Sequence, residues 1–461
     1  MESTATDIAA SIASGATSAV EVVGAHLERI LGDDDLNAYT HVDPDDALGR
    51  AHQLDTTRAR GRPAGPLEGV PIALKDLVDH EGRITTCGSS FYRHLATSTA
   101  MCVQRLETAG AVVVGRTGLH EFAFGFSSEN HWFGPVRNPW DPDTSPGGSS
   151  GGSGVAVAAG HAPVGIGTDT GGSVRVPAAL CGTVGLKVTH GRIPLSGVFP
   201  LAPSLDTVGP LTRTVADAEL AYEVMAGHDP ADPWSTAEIV DPRLPTATIE
   251  RLRIGIPTPW TDRPLGPDVR DGFDRALRAI GDAGAEITSV FDPVVTPPGM
   301  INQAAYAEVA AVHRIWWDQG PERYGPVVAD RLAVAMRSDL DDYARALAWR
   351  AGLRNAMHRM LLDADVLATP TTAVSRKVIG EDEVVTETGP EEYRRALSWF
   401  TALVNHAGLP ALALPIAGSS DGAPSSLQLV GRAGTERRLL AIGRALEDAG
   451  IVGFRSPPTR G

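Results

Sequence analysis

Two glycine- and serine-rich turns and one lysine are the residues best suited to chemistry in this chain. The first turn is Ser145-Pro-Gly-Gly-Ser149-Ser150-Gly-Gly-Ser153-Gly154, and the second is Thr168-Asp-Thr170-Gly171-Gly172-Ser173. Such composition alone reads as a flexible linker. The first run, however, is short and enclosed by ordered-looking sequence, and a linker gives no reason for the second turn. Lysine usage adds a base. Lys75, Lys187 and Lys377 are the only lysines among 40 Lys plus Arg. Arginine cannot lose its proton in a protein, whereas a buried lysine can, because burial penalises the charged form. Lys75 closes the apolar run Val70-Pro-Ile-Ala-Leu74, which makes it a candidate general base. From position alone, a lysine paired with Asp76 or Asp79 accounts for it equally well. A serine hydroxyl is a poor nucleophile until a neighbouring base takes its proton.

Three familiar glycine motifs fail when tested here. Gly147-Gly-Ser149-Ser-Gly151 matches G-x-S-x-G by letters, but a nucleophile elbow needs a strand before it, and Arg137–Ser145 is a proline-broken loop. A phosphate-binding loop ends in Gly-Lys-Ser/Thr, and no lysine follows either turn. Gly165-Ile-Gly167-Thr-Asp-Thr170 lacks the last glycine of a dinucleotide fingerprint, Gly171 standing one place late.

The elements that must position these turns follow from periodicity. Ser18-Ala-Val-Glu21 has capping-box spacing, with Val20, Val23, Leu27 and Ile30 on one helical face. Helix is expected around Met101–Leu106, from Thr117 and over 155–159; strand is expected at Val112–Val114 and Pro163–Thr168. Arg253–Ile256, the apolar positions Val269 to Ile280, and Ile287–Phe291 read strand–helix–strand. Ala411–Ile416 and Leu427–Val430 read as strands, and Thr435–Ala449 as a helix. Loops are expected near 229–247, 292–299, 376–391 and 418–426. This alternation predicts an α/β fold, a large, mostly mixed, twisted β-sheet covered by helices on both faces. One domain over 1–461 is expected, with a helical insertion at 300–363 shaping the substrate pocket.

Composition excludes several classes. Of 461 residues, 43% are hydrophobic, enough for a large core, and the net charge of -16 repels phosphate backbones. The three cysteines, Cys87, Cys102 and Cys181, are too few and scattered for a disulfide framework or a metal site. The histidines show no ligand spacing, so neither metal nor cofactor is expected. Met-Glu-Ser-Thr-Ala-Thr-Asp at the start lacks the basic and apolar regions of a signal peptide, and no apolar run is long enough to span a bilayer. A cytoplasmic protein is expected, acting on a small molecule without nucleic acid or membrane; a homodimer is left open.

The motifs together resemble the amidase signature family of serine hydrolases. Gly147-Gly-Ser-Ser-Gly-Gly-Ser153, Gly167-Thr-Asp-Thr-Gly-Gly-Ser-Val-Arg175 and Cys181-Gly-Thr-Val-Gly-Leu-Lys187 carry the match. Gly65-Pro-Leu-Glu-Gly-Val-Pro-Ile-Ala-Leu-Lys75-Asp, Phe133–Trp140 and Ser204–Pro210 support it. The similarity is strong over 65–215, the expected catalytic core. The resemblance implies that Ser173 is the nucleophile, Ser149 a bridging serine in a cis peptide, and Lys75 the ultimate base. Backbone N–H groups across Thr170, Gly171, Gly172 and Ser173 would hold the oxyanion. It leaves Asp169 and Arg175 as a pair that shapes the turn, Ser150 and Ser153 as hydrogen-bonding the glycine loop, Lys187 as an anchor for backbone, and Cys181 as a small buried hydrophobe. Gly118 and Val188 depart from the common Asn and Pro of the family, outside the triad.

For the substrate, the arginine-bearing stretch associated with glutamine in the glutamine-hydrolysing members of tRNA-dependent amidotransferases is absent, Val312-His-Arg-Ile-Trp-Trp317 standing there instead. Val176 follows the expected nucleophile by three where relatives carry Gln or Arg, and argues against a carboxylate-bearing acyl group. Phe124 and Phe126, with Trp132, Phe133, Trp316 and Trp317, are candidate pocket walls. The expected activity is hydrolysis of small apolar or aryl amides through an acyl-enzyme, extending to esters, anilides, carbamates or urethanes. The alternative is the glutamine-hydrolysing component of a tRNA-dependent amidotransferase complex.

Overall fold

The structure, a computed structural model, describes residues 3–237, 247–297, 303–417 and 423–458. Eleven strands form its main sheet. In chain order they are β1 (Tyr39–His41), β2 (Pro71–Lys75), β3 (Val112–Thr117), β4 (Val164–Thr168), β5 (Val184–Lys187), β6 (Val208–Thr212), β7 (Arg253–Thr258), β8 (Glu286–Phe291), β9 (Val366–Pro370), β10 (Ala411–Pro415) and β11 (Ser426–Val430). Their spatial order is β1-β3-β2-β4-β6-β5-β10-β11-β9-β7-β8. Pairs β3/β2, β2/β4, β9/β7 and β7/β8 are parallel and the others antiparallel. Central strands β2, β4, β6, β9, β10 and β11 are buried at every position. Helices lie on both faces, and continuous apolar runs, rather than alternation, are what such doubly covered strands require. The edge strand β8 is largely exposed.

Local signals explain the outer helices. The Ser18–Glu21 capping box forms as expected, and helix Ala19–Gly32 buries Val23, Leu27 and Ile30. The helix expected from Thr117 does not form. β3 runs through Thr117, and Phe122 and Ala123 take left-handed φ of 51° and 59°. That turn drives Phe122, fully buried, into a ring cluster with Phe91, Tyr92, Phe199 and Trp316. Aromatic burial outweighs the local strain of a left-handed residue. Helix Gly151–Ala158 starts earlier than expected and takes in the last four residues of the first glycine run. A Cβ on Gly152 would lie 2.4 Å from the Ala38 carbonyl oxygen, so only glycine lets this helix lie so close to the chain beneath it.

Residues 303–363 are largely helical, in Gln303–Trp317, Pro326–Ala335 and Leu340–Asp363; residues 300–302 lie outside the described residues. The expected loop at 376–391 contains a hairpin, Glu383–Thr386 against Gly389–Glu392. The loops expected near 229–247, 292–299 and 418–426 reach into residues outside the described ones. Among the described residues no helix is long and apolar enough to cross a membrane.

Candidate active site

Parallel strands β2 and β4 pair Leu74 with Ile166, so Lys75 leaves the end of one strand level with the end of the other. Ligand sites in open α/β sheets gather beyond the C-terminal ends of parallel strands. Lys75 is fully buried, and its Nζ lies 2.7 Å from Ser149 Oγ, 2.8 Å from Ser150 Oγ and 2.8 Å from Thr168 Oγ1. No carboxylate touches it among the described residues. Burial lowers its pKa from 10.5 to about 7, against weaker opposing effects of Asp169, Asp206 and Cys87. Three hydroxyls can serve either form. An ammonium donates to all three, while a neutral amine donates two bonds and accepts one. The pairing with Asp76 left open by sequence is not made: Asp76 accepts from Arg116 Nε at 2.8 Å instead.

Ser149 follows Gly148 through a cis peptide bond. Ser150 N–H donates to the Ser173 carbonyl at 3.3 Å, which stitches the two glycine turns together. Ser150 Oγ also accepts from the Thr168 N–H at 3.2 Å, and Ser153 Oγ donates to the Ile166 carbonyl at 2.9 Å.

The second turn is built around a buried ion pair. Arg175 Nη2 meets Asp169 Oδ1 at 2.9 Å and Arg175 Nε meets Asp169 Oδ2 at 3.0 Å, both side chains being fully buried. Burial opposes ionisation of Asp169. The charge and hydrogen bonds of Arg175, aided by Lys187 and Asn405, outweigh it and hold the carboxyl at about 2. Arg175 also donates to Gln428 Oε1 at 2.7 Å and Asn405 Oδ1 at 2.6 Å, tying the turn to the last third of the chain. Replacing Arg175 by Met strands the Asp169 carboxylate and should cost about 3–5 kcal/mol of stability. Urea unfolding checks it, and a loss under about 1 kcal/mol would show that the remaining donors hold the Asp169 charge without Arg175.

Asp169 corrects one expectation. Its Oδ1 accepts the Gly172 N–H at 2.8 Å, so Gly172 is not free to donate to an oxyanion. The N–H groups of Thr170, Gly171 and Ser173 have no acceptor among the described residues. Gly172 is needed for its φ of 135°, where a Cβ would also meet Thr401 Oγ1 at 2.2 Å. Thr170 Oγ1 donates to Asp206 at 2.5 Å, and burial raises the Asp206 pKa against this bond and those from the Leu201 and Ala202 N–H groups.

Ser173, 3% exposed, opens with Thr170 and Gly171 onto a cavity of about 420 Å³. Phe124, Phe126, Leu201, Leu205 and Trp399 form apolar wall. Val176 is a correction. It is fully buried on helix Arg175–Cys181, in the cluster with Leu180, Phe400 and Leu403, and does not line the cavity. The helical twist of roughly 100° per residue turns it away from the cavity onto which Ser173 opens, so it says nothing about the acyl group. Trp132 and Phe133 are exposed elsewhere, and Trp316 packs in the Phe122 ring cluster. Sequence reasoning also misses Thr168, Asp206, Asn405 and Gln428 around the turns, and Arg331, Arg394 and Arg395 in the cavity wall. Only Thr168 has a usable signal, as the last strand residue before Asp169.

Lys187 hydrogen-bonds the Val188 and Leu409 carbonyls, each at 2.8 Å. Burial, then Arg175, lowers its pKa to about 7 as well. The three cysteines are buried and free. Two lysines at about 7 when folded and 10.5 otherwise make the unfolded chain bind more protons between those values, so stability rises with pH there. Between pH ~7 and ~8.5, below thiol ionisation in the unfolded chain, the free energy of unfolding should climb. The slope should vanish with both lysines changed to Met; a flat wild-type profile would mean they stay charged when buried.

A model of the Amidase family matches residues 21–440. The chain belongs to the amidase signature family. It is a hydrolase acting on amide C–N bonds. It is 38% identical to AtzE of Pseudomonas sp. (strain ADP), a component of 1-carboxybiuret hydrolase, covering 97% of this chain and 98% of that one. It is 37% identical to the A component of glutamyl-tRNA(Gln) amidotransferase from Chloroflexus aurantiacus (strain ATCC 29366 / DSM 635 / J-10-fl), covering 96% of each. A solved structure described as a vestigial complex revealing the origins of an s-triazine catabolic enzyme superposes with a TM-score of 0.91 at 37% identity, covering 98% of this chain and 100% of that one. The fold, mixed sheet and flanking helices included, is that of the family.

Proposed function

We propose that this amidase cleaves small amides through an acyl-enzyme on Ser173, with Ser149 and Lys75 as proton relay. The observation that carries the reading is Lys75: buried, with its pKa lowered to about 7, and 2.7 Å from Ser149 Oγ. Neutral Lys75 takes the Ser149 proton as Ser149 takes that of Ser173. Ser173 Oγ then attacks the carbonyl carbon, and the oxyanion is held by N–H groups of Thr170, Gly171 and Ser173. The proton returns through Ser149 to the leaving nitrogen, the C–N bond breaks, and water releases the acid by the same relay.

Phe124, Phe126, Leu201 and Leu205 favour an acyl or aryl group with apolar surface; anilides, esters and carbamates share the tetrahedral intermediate and belong in the panel. The experiment is to incubate the protein with a slowly deacylating aryl ester and map the adduct by mass spectrometry. The expected adduct is on Ser173, and one confined to any other residue would sink the assignment. The identity to an amidotransferase component supports a second reading, glutamine hydrolysis within a complex. Ammonia release from glutamine only after a partner is added would favour it; turnover of simple anilides by the isolated chain would not.

A further inference from the structure

The cavity wall holds a charge that the proposed chemistry does not use. Arg331, on helix Pro326–Ala335, is 7% exposed yet lines the same cavity as Ser173. Its Nη1 hydrogen-bonds the Phe124 carbonyl and lies 3.3 Å from His120 Nε2, and its Nη2 donates to Tyr393 Oη at 3.0 Å. Those partners are all neutral, since burial and then the charge of Arg331 push the His120 pKa well down. Its Nε has no partner, and no carboxylate lies within ion-pair distance of it among the described residues. Every other charge at this wall is of the same sign or already paired. Arg394 is bound to Glu392, and Arg395 lies 3.4 Å from Glu391. A buried cation without a counter-charge is costly, and an anionic group on a bound ligand would offset that cost.

We propose that Arg331 is a specificity-determining residue that reads an ionised carboxyl group carried by the amide substrate. This rests on the cavity being the substrate site, and it narrows the substrate class to amides with a second, acidic group. A guanidinium suits the planar carboxylate better than an ammonium would. One unpaired cation matches one carboxylate; a phosphate dianion would need a second, and Arg394 is engaged. The apolar walls at Phe124 and Leu205 then pack the carbon chain between the scissile carbonyl and the carboxylate.

The test separates binding from turnover. In Ser173→Ala protein, saturating glutarate should raise Tm by about 3 °C or more, while neutral glutaramide and inorganic phosphate should not. Arg331→Met in that background should abolish the shift. If the Met variant fails to fold, Arg331→Lys and Arg331→Gln replace it, and only the charged one should keep part of the shift. With active enzyme, 4-nitroanilides ending in a carboxylate or in an uncharged isostere are compared, with the acidic group on either side of the scissile bond. Wild type should favour the acid on one side, and Arg331→Met should lower that kcat/KM ratio by about 10²-fold, mainly through KM. Equal effects of Arg331→Met on both members of a pair would leave Arg331 a structural residue and overturn the proposal. Ser173-dependent cleavage with no charge preference and no glutarate shift would remove the subsite alone. An Arg331-dependent glutarate shift in a protein that cleaves no amide would keep the subsite and remove the hydrolytic assignment.

Discussion

Ser173→Ala should lower amide turnover by at least about 10⁴-fold while substrate affinity stays within a few fold. The expected size follows from what a serine nucleophile supplies. Removing it leaves oxyanion stabilisation and binding, which retain only a small residue of the acceleration. Ser173 is nearly buried at the edge of the cavity, so alanine removes one oxygen and leaves the turn to Gly172, Asp169 and Arg175. Comparing release of acid and amine by wild type and variant, with Tm as a control on folding, makes the measurement. Equal turnover by both proteins would place the nucleophile elsewhere.

Lys75→Met has the second-largest expected effect, a fall in kcat/KM of about 10³-fold or more with little loss of fold. Methionine is near in length and apolar, so it suits the buried end of β2; what it lacks is a nitrogen to accept the Ser149 proton. The wild-type pH profile carries the sign. A base with pKa about 7 must be unprotonated to act, so kcat/KM should drop about tenfold per unit below pH 7 and level off above it. Burial lowers Lys187 just as far, but Lys187 holds backbone carbonyls on another strand and has no bond to Ser149. The acid limb should therefore survive in Lys187→Met; its disappearance there would reassign the titration and weaken the case for Lys75.

The Lys75 prediction rests on contacts between residues 74 and 75 positions apart in the chain, which marks the boundary of what is legible in sequence. The family motifs point to Lys75, Ser149 and Ser173 because close packing of a catalytic turn constrains consecutive residues. The same holds for helix Ala19–Gly32, whose cap and apolar stripe are local, and for the buried strands β2 and β4. The departures have a physical source too. The helix expected from Thr117 gives way because Phe122 finds a ring cluster whose members come from 91, 199 and 316. Val176 lies outside the cavity because its distance from Ser173 in sequence says nothing of which side of the helix it occupies.

What the sequence by itself determined is the α/β architecture and the family, and it singled out the two glycine-serine turns and Lys75 as candidates, all from short-range patterns of glycine, serine and apolar residues. The tertiary structure decided the rest. It set the proton affinity of Lys75, because burial and hydroxyl partners are properties of a three-dimensional surrounding. It gave the Gly172 N–H to the Asp169 carboxylate. It also assembled the cavity from residues between 123 and 406, where helix packing, and no spacing in the chain, brings the unpaired charge of Arg331 to the same space as the Ser173 hydroxyl.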